Sequence, residues 1–412
     1  VLIGTCLLLA IAITAALIST LNRQTSPRSH GGDYSASLPT RSPNLTTEVL
    51  SLRQTYHLPA LAIARGSPSS FAASAVGVRK HGSPIPALPS DIYHLGSLTK
   101  AMTATLLALL IQSPSTSLSW NSTLPSLLSG FHISPSHHAT TLQDLTSHRS
   151  GITNPVINNT TLLGLYALPA ESGRWLLANE TLARPPTHPR GTFTYANANY
   201  LLAGLVLDLY SPSHSAEHYF QTHLLSPLHM TTAGFGPTPE RSNTSIDNPW
   251  PHTPGPSGPI PLTGLPNAEK DNPPAYNTAG RMHMAPRDYN KFLQLHLEGM
   301  LGGKHNVLGL EAAQFAHLHT AYPTANTSDP GYGYTYGGWL RRDFTVGTER
   351  RRNVKAEYVL AHDGSNTLNF AYALLDSYAG EAYVALTNVG GVEADVAVQA
   401  GIVGMRNGTL VF

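Results

Sequence analysis

The stretch Ala101-Met102-Thr103-Ala104-Thr105-Leu106-Leu107-Ala108-Leu109-Leu110-Ile111 has almost no polar face, and it is opened by Ser97-Leu98-Thr99-Lys100. A run this long and apolar on all sides predicts a central helix covered by other elements, not a surface helix. A lysine one turn into such a helix must either reach solvent along its own stem or have a polar purpose. With the helix starting at the serine, positions three apart share a face. The Ser97 hydroxyl and the Lys100 ammonium then meet beside backbone N–H groups that favour negative charge. That pairing is a way to make a serine nucleophilic without a histidine. On the tetrapeptide alone, an ordinary helix start with a surface lysine is the competing reading.

At 412 residues the chain has material for a large core, as two lobes or one elaborated domain. Charged residues make up 12%, well below the usual quarter, and the 35 Gly and 32 Pro predict long loops. A formal charge of +1 creates no field to gather nucleic acid, and no recognition motif for it is present. Arg341-Arg342 and Arg350-Arg351-Arg352 flank Asp343 to Glu349 and read as the two arms of an exposed hairpin. The 20 histidines are scattered; His137-His138 and His317 with His319 lack a third ligand at zinc-site spacing, so neither metal nor cofactor is expected.

Residues 1–21 are mostly apolar and are followed by Asn22, Arg23 and Arg28, the pattern of a signal peptide or a membrane anchor. Residues 22–48 then read as a flexible stalk, and the protein as secreted or membrane-anchored with an extracytoplasmic catalytic domain. Cys6 is the single cysteine, which excludes an intrachain disulfide. Sequons at Asn44, Asn121, Asn158, Asn159, Asn179, Asn243, Asn326 and Asn407 suit passage through a eukaryotic secretory pathway.

A compact region is expected over 49–403, with 404–412 as a tail. Ala60–Ala64 and Ala73–Val78 read as a hairpin around a Gly/Pro/Ser turn. Helical spacing marks Thr141–Leu145, Asn199–Tyr210 and Ala216–Leu225, whereas Phe235–Pro274 is Pro/Gly-rich and reads as a long ordered loop or an unstructured insertion. Tyr289–Gly299 reads as helix. Tyr332–Tyr336, Gly338–Leu340, Glu357–Ala361, Thr367–Leu374 and Ala382–Thr387 read as short antiparallel strands, closed by a helix over Val392–Val403. The resulting α+β architecture is an antiparallel sheet flanked by helices, built from 49–117 and 276–403. A mainly helical lobe, 118–275, interrupts it, with Ser97 in the cleft between.

Two further polar clusters stand in chain order after Ser97: Tyr195-Ala196-Asn197, and His362-Asp363-Gly364-Ser365 after a strand. Taken together, S-x-x-K, Y-x-N and H-x-G resemble the serine beta-lactamase-like family, which holds class C beta-lactamases, DD-peptidases and esterase relatives. Tyr93–Lys100, Gly191–Asn197, Tyr332–Trp339 and Ala385–Asn388 resemble further family segments, so the likeness runs from about Leu50 to Val403. It implies a beta-lactamase/transpeptidase-like fold.

The same resemblance implies that Ser97 is the nucleophile and Lys100 its proton partner. Tyr195 would take the serine proton with Lys100 and return one to the leaving group. Asn197 would hold Lys100 or a substrate carbonyl. The amides of Ser97 and Ser365 would form the oxyanion hole, and His362, Asp363 and Gly364 would line the substrate, with Gly364 leaving room for its approach. The departures are His362 where a lysine would keep a charge for a substrate carboxylate, and Asp363 where Thr or Ser is usual. Both favour an acyl-enzyme hydrolase of an ester, amide or small peptide over a true beta-lactamase or DD-carboxypeptidase; a catalytically silent binding or scaffold protein is the other reading. A G-x-S-x-G elbow is absent from Leu95-Gly96-Ser97-Leu98-Thr99.

Overall fold

The computed structural model describes residues 45–242, 244–263, 270–303, 306–343, 358–408 and 410. A six-stranded antiparallel sheet organises it: β1 (Ala60–Ser67), β2 (Ser70–Gly77), β3 (Leu340–Asp343), β4 (Tyr358–Ser365), β5 (Phe370–Asp376) and β6 (Glu381–Thr387), in the order β2-β1-β6-β5-β4-β3. The two ends of the chain meet in the middle, where Leu61 pairs with Thr387 and Ile63 with Ala385. Alternation along the strands divides the core. Leu61, Ile63, Val359, Ala361, Tyr372 and Leu374 pack with the terminal helices α1 (Leu45–Thr55) and α7 (Val392–Arg406). Ala62, Ala64, Leu360, Ala371 and Ala373 face the opposite layer, which holds α2 (Thr99–Gln112) and α6 (Pro286–Met300).

Helix α2 is buried from Thr99 to Leu110, because it lies between the sheet layer and the helices inserted by the middle of the chain. Its hydroxyls are satisfied internally: Thr103 donates to the Thr278 carbonyl (2.6 Å), and Thr105 to that of Ala101 (2.8 Å). The inserted part carries α3 (Leu142–Thr146), α4 (Ala170–Leu182) and α5 (Asn197–Tyr210). Thr141 and Asp144 form a capping box that starts α3.

Several boundaries differ from expectation. Helix α1 begins at Leu45, so residues 45–48 belong to it and not to a stalk, and α7 runs on to Arg406. Tyr332–Trp339 is a turn, not two strands: Gly333 and Gly338 take φ of +83° and +74°, and only Tyr334 and Thr335 form isolated bridges. The alternating tyrosines imitated strand periodicity, while the glycines between them set the real conformation. Arg341 and Arg342 lie in β3, paired with Leu360 and Val359; Arg350–Arg352 fall outside the described residues. The proline-rich segment is tied down as far as it is described, through Trp250 N–H to the Arg79 carbonyl (2.7 Å) and Glu240 to the amides of Asp247 and Asn248. No helix among the described residues is long and apolar enough to cross a membrane, and residues 1–21 lie outside them.

Candidate active site

Ser97 sits in a single 3-10 turn, Gly96–Leu98, that leads directly into α2. This places Lys100 one turn on, with its side chain fully buried. Lys100 Nζ lies 2.9 Å from Ser97 Oγ, 2.8 Å from Asn197 Oδ1 and 2.7 Å from the Ala279 carbonyl oxygen. It also lies 4.9 Å from the Tyr195 ring centroid and 5.6 Å from that of Tyr200. Among the described residues no carboxylate contacts it. Burial therefore lowers its pKa to about 7, against the more distant pull of Asp363.

That value changes what the three contacts mean. A neutral amine has two N–H donors and one lone pair. The Asn197 and Ala279 oxygens accept from the two N–H groups, and the lone pair is left for the Ser97 hydroxyl. Charged, the same nitrogen donates to all three. The arrangement is thus ready to exchange one proton with Ser97.

Tyr195 ends the segment before α5, and Asn197 is the first residue of that helix. The Tyr195 ring is held by His148 at 4.2 Å between centroids and lies 6.2 Å from His362 and 6.4 Å from Tyr334. Burial, then Asp363, pushes the phenol pKa up, and its hydrogen bond with Ser97 only partly offsets this. Tyr195 is therefore a neutral phenol, able to pass a proton on but not to rest as phenolate.

His362 and Gly364 stand on the face of β4 that carries Leu360, toward Ser97. His362 Nδ1 donates to the Asp363 carbonyl, which leaves Nε2 to accept from the Tyr334 hydroxyl at 3.1 Å. Burial, with help from Lys100, lowers its pKa against Asp363. Both ring nitrogens are occupied and the ring is neutral.

Gly364 serves a different purpose from the one expected. A Cβ there would lie 2.0 Å from the Leu95 carbonyl and 3.0 Å from the Ser97 nitrogen, so the missing side chain lets β4 touch the nucleophile's own turn. From the other side, a Cβ on Gly96 would lie 2.3 Å from the Ser365 nitrogen. The amides of Ser97 and Ser365 are thereby brought to one place.

Asp363 does not join them. It is paired with Tyr372, and its side chain stands on the sheet face packed by Val359, Ala361 and α7. The substrate-lining role that the resemblance implies for Asp363 does not hold here, because one step along a strand from His362 reverses the face.

Sequence reasoning passed over His148 and Tyr334. His148 follows α3 in a left-handed conformation (φ +59°) and is completely buried. Its Nδ1 lies 3.3 Å from the Ala196 amide and 3.1 Å from Asn199 Nδ2, while Nε2 is buried without a partner among the described residues. Among twenty histidines nothing in the sequence singled it out, beyond its place before Ser150-Gly151 in a helix-ending turn. Among the described residues no group of three or more His, Cys, Asp or Glu is placed to hold a metal ion.

Comparison with known proteins bears on the family and the fold. The fold is similar to that of an octameric penicillin-binding protein homologue from Pyrococcus abyssi (TM-score 0.66, 19% identity, 88% of this chain and 77% of that one). It is also similar to a beta-lactamase from Sulfitobacter sp. EE-36 (0.65, 19%, 89% and 98%). A third likeness is to the D-amino acid amidase of Ochrobactrum anthropi SV3, solved with L-phenylalanine amide (0.64, 16%, 89% and 99%). The Beta-lactamase family model matches residues 52–401. With that match spanning most of its length, this chain belongs to the beta-lactamase family, and it shares its fold with these structures.

Proposed function

We propose that the protein is a serine acyl hydrolase that works through a covalent acyl-enzyme on an ester, an amide or a small peptide. The observation that carries this is the Lys100 amine, poised near neutral pKa 2.9 Å from Ser97 Oγ. Neutral Lys100 takes the Ser97 proton as Oγ attacks the carbonyl carbon. The developing oxyanion lies between the amides of Ser97 and Ser365, each such donor being worth about 3 kcal/mol of transition-state stabilisation. As the tetrahedral intermediate collapses, the Tyr195 hydroxyl gives its proton to the leaving atom and is resupplied from Lys100. Water then attacks the acyl-enzyme by the reverse relay and releases Ser97.

The substrate side supports an acyl group without a carboxylate beside the scissile bond. A carboxylate needs a cation or a free donor, and His362 offers neither, since the Tyr334 hydroxyl and the Asp363 carbonyl hold both nitrogens. Fluorophosphonate labelling of the wild type and of Ser97→Ala tests the nucleophile; stoichiometric labelling that survives the substitution sinks it. Parallel kinetics on p-nitrophenyl butyrate, benzylpenicillin and a D-Ala-D-Ala peptide test the preference. A kcat/KM for penicillin or the peptide well above that of the ester overturns it.

Export with N-glycosylation belongs to the same proposal. Asn121, Asn158, Asn159, Asn179, Asn326 and Asn407 are all exposed, whereas among the other described asparagines only Asn154 is. Surface placement of the acceptor asparagines is what modification requires. Secretion from a eukaryotic host should give a mass that falls on treatment with peptide-N-glycosidase, and an unchanged mass would remove this part.

A further inference from the structure

Behind the Ser97 turn lies a buried carboxylate outside the mechanism above. Asp271 is fully buried, and so is the ring of His94. His94 Nδ1 accepts from the Gly96 amide at 3.1 Å, so its proton must sit on Nε2, which donates to Asp271 Oδ2 at 2.8 Å. The second oxygen, Oδ1, accepts from Asn366 Nδ2 (3.0 Å) and from the Asn272 amide (2.8 Å), while Arg281 Nε reaches Oδ2 at 3.3 Å.

These contacts end on both sides of the place where the oxyanion would sit. Gly96 precedes Ser97 and has a left-handed φ of +52°, so the direction of the Ser97 N–H depends on how the Gly96 peptides are held. Its N–H is held by His94, and its carbonyl by the Thr99 hydroxyl at 2.7 Å. On the other side Asn366 follows Ser365, and its Oδ1 takes the amides of Leu368 and Asn369.

We infer that Asp271 is a positioning residue: through His94 on one side and Asn366 on the other, one buried carboxylate sets the spacing and direction of the two amides beside Ser97. The inference rests on the acyl-enzyme reading, and it adds to that reading a device that aligns the oxyanion site without touching substrate. Four donors converge on Asp271, and only a carboxylate accepts them all. An asparagine there has one acceptor oxygen and turns an NH2 toward either His94 and Arg281 or Asn366 and Asn272. Either way one arm of the clamp is released.

The test compares wild type, Asp271→Asn, His94→Asn and the double variant in the full chain, with p-nitrophenyl butyrate turnover and the affinity of a phenylboronic acid as readouts. The boronate forms a tetrahedral adduct with the serine, so it reports the oxyanion site and not ground-state binding. Asp271→Asn should lower kcat about 10- to 100-fold with KM within about threefold, and weaken the boronate by the same factor as kcat/KM. An asparagine at 94 accepts the Gly96 amide two residues on without help from Asp271. Adding Asp271→Asn to that background should therefore cost less than about threefold. The inference is overturned by a kcat for Asp271→Asn near wild type, by losses that multiply in the double variant, or by unchanged boronate affinity when kcat falls. Should Asp271→Asn not fold, Asn366→Ala releases the second arm, and a kcat near wild type, or unchanged boronate affinity when kcat falls, overturns the inference there too. A wild type neither labelled at Ser97 nor turning over removes the acyl-enzyme reading, and this one with it.

Discussion

Lys100 and Arg174 are both completely buried, and their surroundings differ in kind. Arg174 on α4 holds Asp208 through Nε (2.7 Å) and Nη2 (2.8 Å), and Glu217 through Nη1 (2.7 Å) and Nη2 (2.9 Å). Burial works against its charge, but the hydrogen bonds and charges of Glu217 and Asp208 outweigh that and push its pKa up. Lys100 is equally buried but meets a hydroxyl, an amide oxygen and a carbonyl, with no carboxylate in contact. One charge is locked and the other sits at the edge of neutralisation. A guanidinium paired twice is architecture; an amine left without a counter-ion can exchange a proton.

The largest expected effect lies at the lysine. Lys100→Met should lower the acylation rate at least about a hundredfold, the scale of positioned proton transfer, while the melting temperature at pH 6 does not fall. In the wild type the folded state loses the Lys100 proton near pH 7, well below an unfolded lysine at about 10.5. Between those values the unfolded state binds more protons, so this residue makes stability rise with pH; below pH 7 its full penalty is present. Lys100→Met should therefore be stabilising in acid and flatten the rise in alkali. A variant that melts lower at pH 6 than at pH 9 relative to wild type would break the contrast.

Arg174→Met is the converse. It should cost about 3–5 kcal/mol in a urea unfolding titration, because Asp208 and Glu217 are left facing each other unpaired. The folded fraction should keep its acylation rate to within a few-fold. Loss of rate in fully folded protein would mean that the pair reaches the site and is more than architecture.

These two residues also mark what the sequence could and could not convey. Lys100 was legible because it interrupts an apolar run three residues after a serine, a local pattern read on one helix face. The strands of the sheet other than β3 were legible as short apolar runs between turns. Arg174, Asp208 and Glu217 are one cluster only because α4, α5 and the helix Ala216–Phe220 pack together, and no spacing along the chain announces that. His94 was seen in Tyr93–Lys100 but given no role, since its partner Asp271 lies 177 positions away. Asp363 differs from what the resemblance implies because successive residues of a strand face opposite ways, so a motif position next to His362 stands on the α7 face.

The pH dependence of labelling sharpens the contrast further. Only the neutral amine can take the Ser97 proton, so the fluorophosphonate rate should climb with pH and level off above about 7. A lysine near its ordinary value would still be climbing at pH 9. A profile flat from pH 5 to 9 would dismiss Lys100 as the base.

The smallest effect belongs to Asp363, and it separates a residue that lines the substrate from one that acts through the sheet. Its side chain is on the α7 face with Tyr372, yet its charge is felt across β4, raising the pKa of Lys100 against burial. On its own face it adds to the burial that pushes Asp395 up to about 7, with Gln399 opposing. Asp363→Asn removes a negative charge from both. The amine should then release its proton more readily, moving the acid limb of the labelling profile to lower pH by a few tenths of a unit, roughly what one screened charge at this distance supplies. Asp395 should ionise more easily, so the variant should gain stability above pH 7 and lose that gain below about 4, where both forms are protonated. KM should stay unchanged for the ester and for benzylpenicillin alike. A fall in KM for the penicillin alone would return Asp363 to the cleft, as a negative charge repelling the substrate carboxylate.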